Sequence, residues 1–124
     1  MDQYLIVGLG GFLGACARYW VSAWAAEKWG ASFPYGTLLI NLTGSFVLRL
    51  FLAATTERVL IDPRWRLLLA IGFLGAYTTF STYTYESVQL LLTGNWGSGM
   101  ANLMSSTLLG LLASVLGIAL GRRV

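Results

Sequence analysis

Residues 67–92 read LLLAIGFLGAYTTFSTYTYESVQLLL, two apolar flanks around a block of threonine, serine and tyrosine hydroxyls closed by Glu86. A helix needs about 20 apolar residues to cross a bilayer, and this run is long enough, yet its middle is polar. Gly72, Gly75 and the Thr/Ser cluster after them favour a local break. Non-helical backbone at membrane depth is tolerated only where it is buried in protein or lines a cavity, and its freed carbonyls can ligate a cation. The stretch therefore predicts a third membrane helix broken midway, with a backbone ion site at the break.

The rest of the chain agrees with a membrane setting. Its 124 residues are 56% hydrophobic and 10% charged, with a mean hydropathy of +0.69, far from the mix of an ordinary soluble domain. Apolar runs at about 4–26, 37–54 and 100–120 join 67–92 to give four transmembrane helices, an all-α single domain over 1–124. The connections EKWGASFPYG, TTERVLIDPRWR and TGNWGSG carry turn residues. Trp29, Tyr35, Trp65 and Trp96 stand where aromatic belts meet headgroups. The first run has no basic region before it and is long for a signal peptide, so it is expected to remain in the mature protein.

Several functions are excluded early. With no His and only Cys16, the chain cannot assemble a His/Cys metal site or a Cys/His nucleophile pair, and Cys16 reads as a small buried residue. No paired carboxylates and no GxxxxGK phosphate loop occur, so an enzyme is not expected. A net charge of +3 does not point to nucleic acid, because the basic residues are scattered or sit at the ends of apolar runs. Arg58, Arg64, Arg66, Arg122 and Arg123 fall on one side and Lys28 on the other, with Arg18 inside the first helix. The positive-inside rule then places both termini in the cytoplasm.

Polar residues inside spans are costly and mark pathways or sites. On the second helix Thr37, Asn41, Gly44, Ser45 and Leu48 share one face. Two readings of Asn41 stand: its amide offers neutral donors to an anion, or it bonds a neighbouring helix. Phe80 and Tyr83, three apart, either present electropositive ring edges or pack as core aromatics. Gly10 and Gly14 on the first helix, and Ser106, Gly110, Ala113, Ser114, Gly117 and Gly121 on the fourth, form small-residue faces for close helix packing. Ser106, with Ser105 and Thr107, is also a candidate for a polar track, against hydroxyls that bond back to their own helix.

GTLLINLTGSF (36–46) and GFLGAYTTFSTYTYE (72–86) together resemble the two signature segments of the CrcB/Fluc fluoride channel family. Length, four spans, Arg18 and the small-residue fourth helix extend the resemblance over the whole chain. It implies an antiparallel, dual-topology homodimer in the inner (plasma) membrane, with two narrow pores that carry fluoride passively out of the cytoplasm. By matching positions it implies that Asn41, Phe80 and Tyr83 coordinate fluoride. Gly75 and Thr78 would offer carbonyls to a structural sodium ion at the dimer interface. Thr37, Ser81, Thr82 and Ser106 would belong to a polar track, and Glu86 to the same third-helix segment. Arg18 is expected to act structurally, capping carbonyls or pairing at an interface.

Three positions depart from the family pattern. Tyr83 stands where a second Phe is usual, Ala76 where Gly is frequent, and Arg49 where a small residue is common. An arginine within a span costs roughly 2.5 to 3.5 kcal/mol on insertion scales unless it snorkels or finds a partner. Arg49 is therefore read as a substitution that perturbs conduction or packing. The competing class is a small proton-coupled multidrug transporter of the four-helix dual-topology type. It needs a titratable carboxylate deep in a cavity, and Glu86 is the only one far inside a span.

Overall fold

The computed structural model describes residues 2–57 and 61–124, and every regular element among them is helical. Arg58, counted above for topology, lies outside the described residues.

Helix α1 (Gln3–Trp29) starts where the Asp2 carboxylate accepts the Tyr4 N–H at 2.7 Å, satisfying a donor that every helix start leaves free. It stops at Gly30, whose φ of 80° is a left-handed conformation that glycine adopts without steric cost. Edge-to-face and tilted rings close the connection to α2 (Tyr35–Glu57): Trp24 and Trp29 lie 5.2 Å apart between centroids with planes at 77°, and Trp29 and Tyr35 5.9 Å apart at 57°. The Lys28 ammonium sits 5.2 Å from the Trp24 ring centroid, anchoring this end as cations do over aromatic faces.

The third span opens with the short helix α3 (Pro63–Trp65), where the Asp62 carboxylate accepts the Arg64 N–H at 3.0 Å and Pro63 occupies the first turn. It widens into a π-helical segment, Arg66–Leu74, and returns to α4 (Gly75–Tyr77). Thr78 (ψ 155°) and Thr79 (φ −149°, ψ 121°) are then extended, and α5 (Phe80–Leu92) begins with the Thr79 hydroxyl accepting the Thr82 N–H at 3.2 Å. After a turn through Gly94 (φ 87°), α6 (Trp96–Gly121) completes the bundle.

Four stretches are long and apolar enough to cross a membrane: Gln3–Trp29, Tyr35–Thr56, Pro63–Leu92 and Trp96–Gly121. The helices run past the apolar segments that mark them, because caps such as Asp2 and Asp62, not hydropathy, set where helices begin.

Backbone-to-backbone packing at glycines holds the bundle together. A Cβ on Gly10 would collide with the Leu68 carbonyl, and one on Gly14 with the Phe73 carbonyl, so α1 lies directly against the π-helical segment. A Cβ on Gly117 would fall 2.5 Å from the Phe46 carbonyl oxygen, and one on Gly121 2.6 Å from that of Leu50. Both contacts advance by one turn in the same direction, so α2 and α6 run parallel.

Few large side chains are buried. Phe12 is 66%, Leu111 62% and Val115 60% exposed, an outward surface that suits hydrocarbon rather than water. Cys16 is also exposed, contrary to the expectation of burial. It lies off the Gly10–Gly14 face through which α1 packs, and so it turns outward.

Candidate functional site

An open cavity of about 310 Å³ gathers residues from three helices: Asn41 and Ser45 of α2, Thr78, Thr79, Phe80 and Tyr83 at the extended link and the start of α5, and Ser106 and Thr107 of α6. Asn41, Phe80, Tyr83 and Ser106, chosen from the sequence, thus share one site. Thr82 is a half-buried neighbour, its hydroxyl 3.1 Å from that of Thr79, whereas Ser81 is exposed.

Asn41 organises this cavity. Its Nδ2 donates to the Thr79 carbonyl at 3.0 Å and its Oδ1 accepts the Thr79 N–H at 2.9 Å. A two-residue stretch of extended chain leaves backbone groups without helical partners, and a primary amide satisfies one donor and one acceptor of the same residue. Of the two amide N–H groups, one is committed to the backbone and the other has no partner among the described residues. The bond to a neighbouring segment is the reading of Asn41 that these contacts show.

The aromatic pair divides its roles. Phe80 is 76% exposed and Tyr83 half-buried, with ring centroids 6.0 Å apart and planes at 56°. The Tyr83 hydroxyl donates to the Leu103 carbonyl at 3.0 Å and lies 3.3 Å from the Thr107 hydroxyl, tying α5 to α6. Tyr83→Phe removes that bond, and a net loss of about 1 kcal/mol of stability is expected in thermal unfolding, with the ring still in place.

Thr37 and Glu86 do not line this cavity. They meet in a second one of about 300 Å³, with Ser22, Gly36, Tyr85 and Gln89 among its walls. Thr37 is four residues before Asn41 on α2 and Glu86 three after Tyr83 on α5, so the two cavities are offset by about 5 Å along both helices. Glu86 Oε1 is buried without a hydrogen-bond partner among the described residues.

Ser106 belongs to a hydrogen-bonded chain whose other side chains, Asn102 and Ser87, the sequence did not single out. Asn102, 1% exposed, donates to the Ser87 hydroxyl at 2.8 Å, Ser87 donates to the Tyr83 carbonyl at 2.8 Å, and Ser106 donates to Asn102 Oδ1 at 3.4 Å. The signal was present: Asn102 stands four residues before Ser106, on the same helical face of an apolar run. Asn102→Leu removes the donor to the Ser87 oxygen and the acceptor of the Ser106 hydroxyl, while Ser87 keeps its bond to the Tyr83 carbonyl, and a loss of roughly 1 to 3 kcal/mol is expected. Chemical or thermal unfolding in detergent measures it.

Arg18 bonds backbone, its Nε donating to the Ala76 carbonyl at 3.1 Å just before the extended link. A cation at the carbonyl end of a helical segment interacts favourably with its dipole. Thr78 and Gly75 flank that contact in sequence, with Thr78 extended. Arg49 lies on α2 beyond Ser45, exposed, eight residues before the last helical residue, Glu57. Among the described residues no group of three or more His, Cys, Asp or Glu gathers to hold a metal.

Comparison with known proteins finds relatives of the chain along nearly its whole length. The family model described as CrcB-like protein, Camphor Resistance (CrcB), covers residues 5–118. A protein of Koribacter versatilis named Fluoride-specific ion channel FluC is 61% identical over 115 residues, 93% of this chain and 90% of that protein. Proteins of the same name from Acidobacterium capsulatum and Sorangium cellulosum are 46% identical over 122 residues (98% of each chain) and 42% over 126 residues (100% of this chain, 98% of the other). The signature segments, the four spanning helices and these full-length matches agree: the chain belongs to the CrcB-like family.

Proposed function

We propose that this chain is a fluoride-specific ion channel that lets fluoride leave the cytoplasm passively across the inner membrane. One observation carries the reading. Two polar cavities, one holding Asn41 and Tyr83 and the other Thr37 and Glu86, lie about a helical turn apart along α2 and α5 in an otherwise apolar bundle. Fluoride is small and strongly hydrated, so a path for it must replace water with many donors that add no full charge. The hydroxyls of Ser45 and Thr82, the Asn41 N–H without a partner among the described residues and the ring edges of Phe80 and Tyr83 offer such donors, and the Thr79 and Ser106 hydroxyls join them if they turn from their present acceptors.

The cavity of one chain is open, and Phe80, at 76% exposure, projects from it. This supports a second copy closing the path, in the antiparallel homodimer that the family resemblance implies. The extended Thr78–Thr79 link then serves as a break at mid-membrane. The Gly75 and Thr78 carbonyls are neutral, hard oxygen donors at the end of a helical segment, the kind of group that holds sodium in broken membrane helices. Two carbonyls from one chain are too few, and an inverted copy doubles them. Sodium would supply charge that offsets the buried carbonyl dipoles and ties the copies together. Preparing and reconstituting the protein with N-methylglucamine in place of sodium is expected to lower fluoride flux, and sodium readdition to restore it.

The multidrug transporter reading is not favoured, since Glu86 sits in the Thr37 cavity of about 300 Å³, walled in part by Ser22, Tyr85 and Gln89, rather than in a large apolar chamber. The direct cellular test is expression in a bacterium deprived of its own fluoride export. Growth in fluoride is expected to be rescued by this chain and by Glu86→Gln; rescue from cationic drugs that Glu86→Gln abolishes would overturn the proposal.

A further inference from the structure

On the α2/α6 side of the bundle, outside both polar cavities, Phe46, Leu116, Ala119, Leu120 and Arg123 line a groove of about 400 Å³. Arg49 belongs to the same face: it follows Phe46 by three residues on α2, and a Cβ on Gly117 would lie 3.2 Å from its own Cβ. Arg122 adds a third exposed cation at the end of α6. The groove is thus apolar along its length and cationic at one end.

Two of those cations lack side-chain partners among the described residues. Arg18 and Arg66 make side-chain hydrogen bonds, and Arg49 and Arg123 make none among the described residues. Asp62 is spent on the Arg64 N–H beside α1, and Glu86 lies in the other cavity. Arg49 sits about 12 Å before the end of α2, deep enough that its guanidinium must snorkel towards the membrane surface. A guanidinium there is matched by a phosphate oxygen pair, which it binds in bidentate fashion.

We propose that this groove binds an anionic phospholipid, with an acyl chain along Phe46, Leu116 and Leu120 and the phosphoryl headgroup between Arg49 and Arg123. Arg49 is then a lipid ligand rather than a lesion in the ion path, and its cost in the span is offset by the headgroup. The assignment does not depend on which ion the channel carries.

The test uses the purified chain in dodecylmaltoside, titrated with dioctanoyl phosphatidylglycerol or dioctanoyl phosphatidylcholine, read by native mass spectrometry and thermal unfolding. A preference of roughly tenfold or more for phosphatidylglycerol is expected, because each arginine adds attraction to an anionic headgroup. R49Q/R123Q is expected to lose the preference while still taking up phosphatidylcholine in the groove. R123Q alone, lying beyond the last helical turn, keeps the test decisive if the double variant does not fold; it is expected to reduce the preference. Equal binding of the two lipids by the unaltered chain, or an undiminished preference in R123Q and the double variant, overturns the proposal. So does an absence of lipid binding combined with a change of oligomeric mass in R49Q/R123Q, which would assign the face to a second copy.

Discussion

Asn41→Ala is expected to lower fluoride flux by about a hundredfold or more, where each factor of ten in rate corresponds to about 1.4 kcal/mol. The effect is large because the side chain holds the extended link at both its donor and its acceptor, 3.0 Å and 2.9 Å from Thr79. Alanine strands the Thr79 N–H and carbonyl where water is scarce, at roughly 1 to 3 kcal/mol each, and also removes the second N–H that the proposed function assigns to the anion. Asn41→Asp separates the two roles. It keeps an acceptor for the Thr79 N–H, so the fold should suffer less than with alanine, but it places negative charge on an anion path and flux should still be lost. Paired measurements of electrode-detected flux and thermal unfolding distinguish these outcomes. Asn41→Ala with unaltered flux and unfolding temperature would show that the clamp is unimportant.

Gly14→Ala is expected to be the most damaging single methyl group in the bundle. The added carbon meets the carbonyl of Phe73 and its Cα, 3.0 Å away, which are backbone and cannot swing aside as a side chain does. Overpacking costs about 1 to 3 kcal/mol where neighbours can adjust, and this contact should reach the top of that range or exceed it. Gly8→Ala is the matched control on the same helix. Nothing lies within 4 Å of its new Cβ, and alanine is favoured over glycine in a helix by up to about 1 kcal/mol. Thermal unfolding and the monodisperse yield in detergent should therefore fall for Gly14→Ala and hold or rise for Gly8→Ala. Equal behaviour of the two would mean that α1 does not rest on the π-helical segment as closely as described.

The four spans were legible because a membrane imposes one coarse requirement, about 20 apolar residues per crossing, that hydropathy records directly. Periodicity also showed which face of α2 carries Asn41 and Ser45. It could not show what lies across that face, since the Asn41 clamp joins residues 38 positions apart. For the same reason Thr37 and Asn41, one turn apart on one helix, looked like neighbours in one site, whereas they line separate cavities with different residues of α5. Thr79 and Asn102 went unremarked because their importance arises from partners on other segments, the Asn41 amide and the Ser87 hydroxyl. The π-helical segment left no periodic signal, as after Arg66 the run LLLAIGFL is apolar on every side. The capping of the Ala76 carbonyl by Arg18 followed a different course: a lone cation inside a span has few possible partners, and the carbonyl end of a helical segment is one of them.

Selective anion conduction is tested most directly by fluoride efflux from proteoliposomes containing the purified chain. A fluoride electrode reads the efflux, with chloride-loaded vesicles and Arg49→Gly in parallel. Rapid fluoride loss without chloride loss is predicted, with Arg49→Gly conducting at a similar rate. No fluoride loss from either protein, or chloride loss as fast as fluoride, would contradict a fluoride-selective path through the Asn41 cavity. Flux from Arg49→Gly alone would instead identify Arg49 as an obstruction to that path.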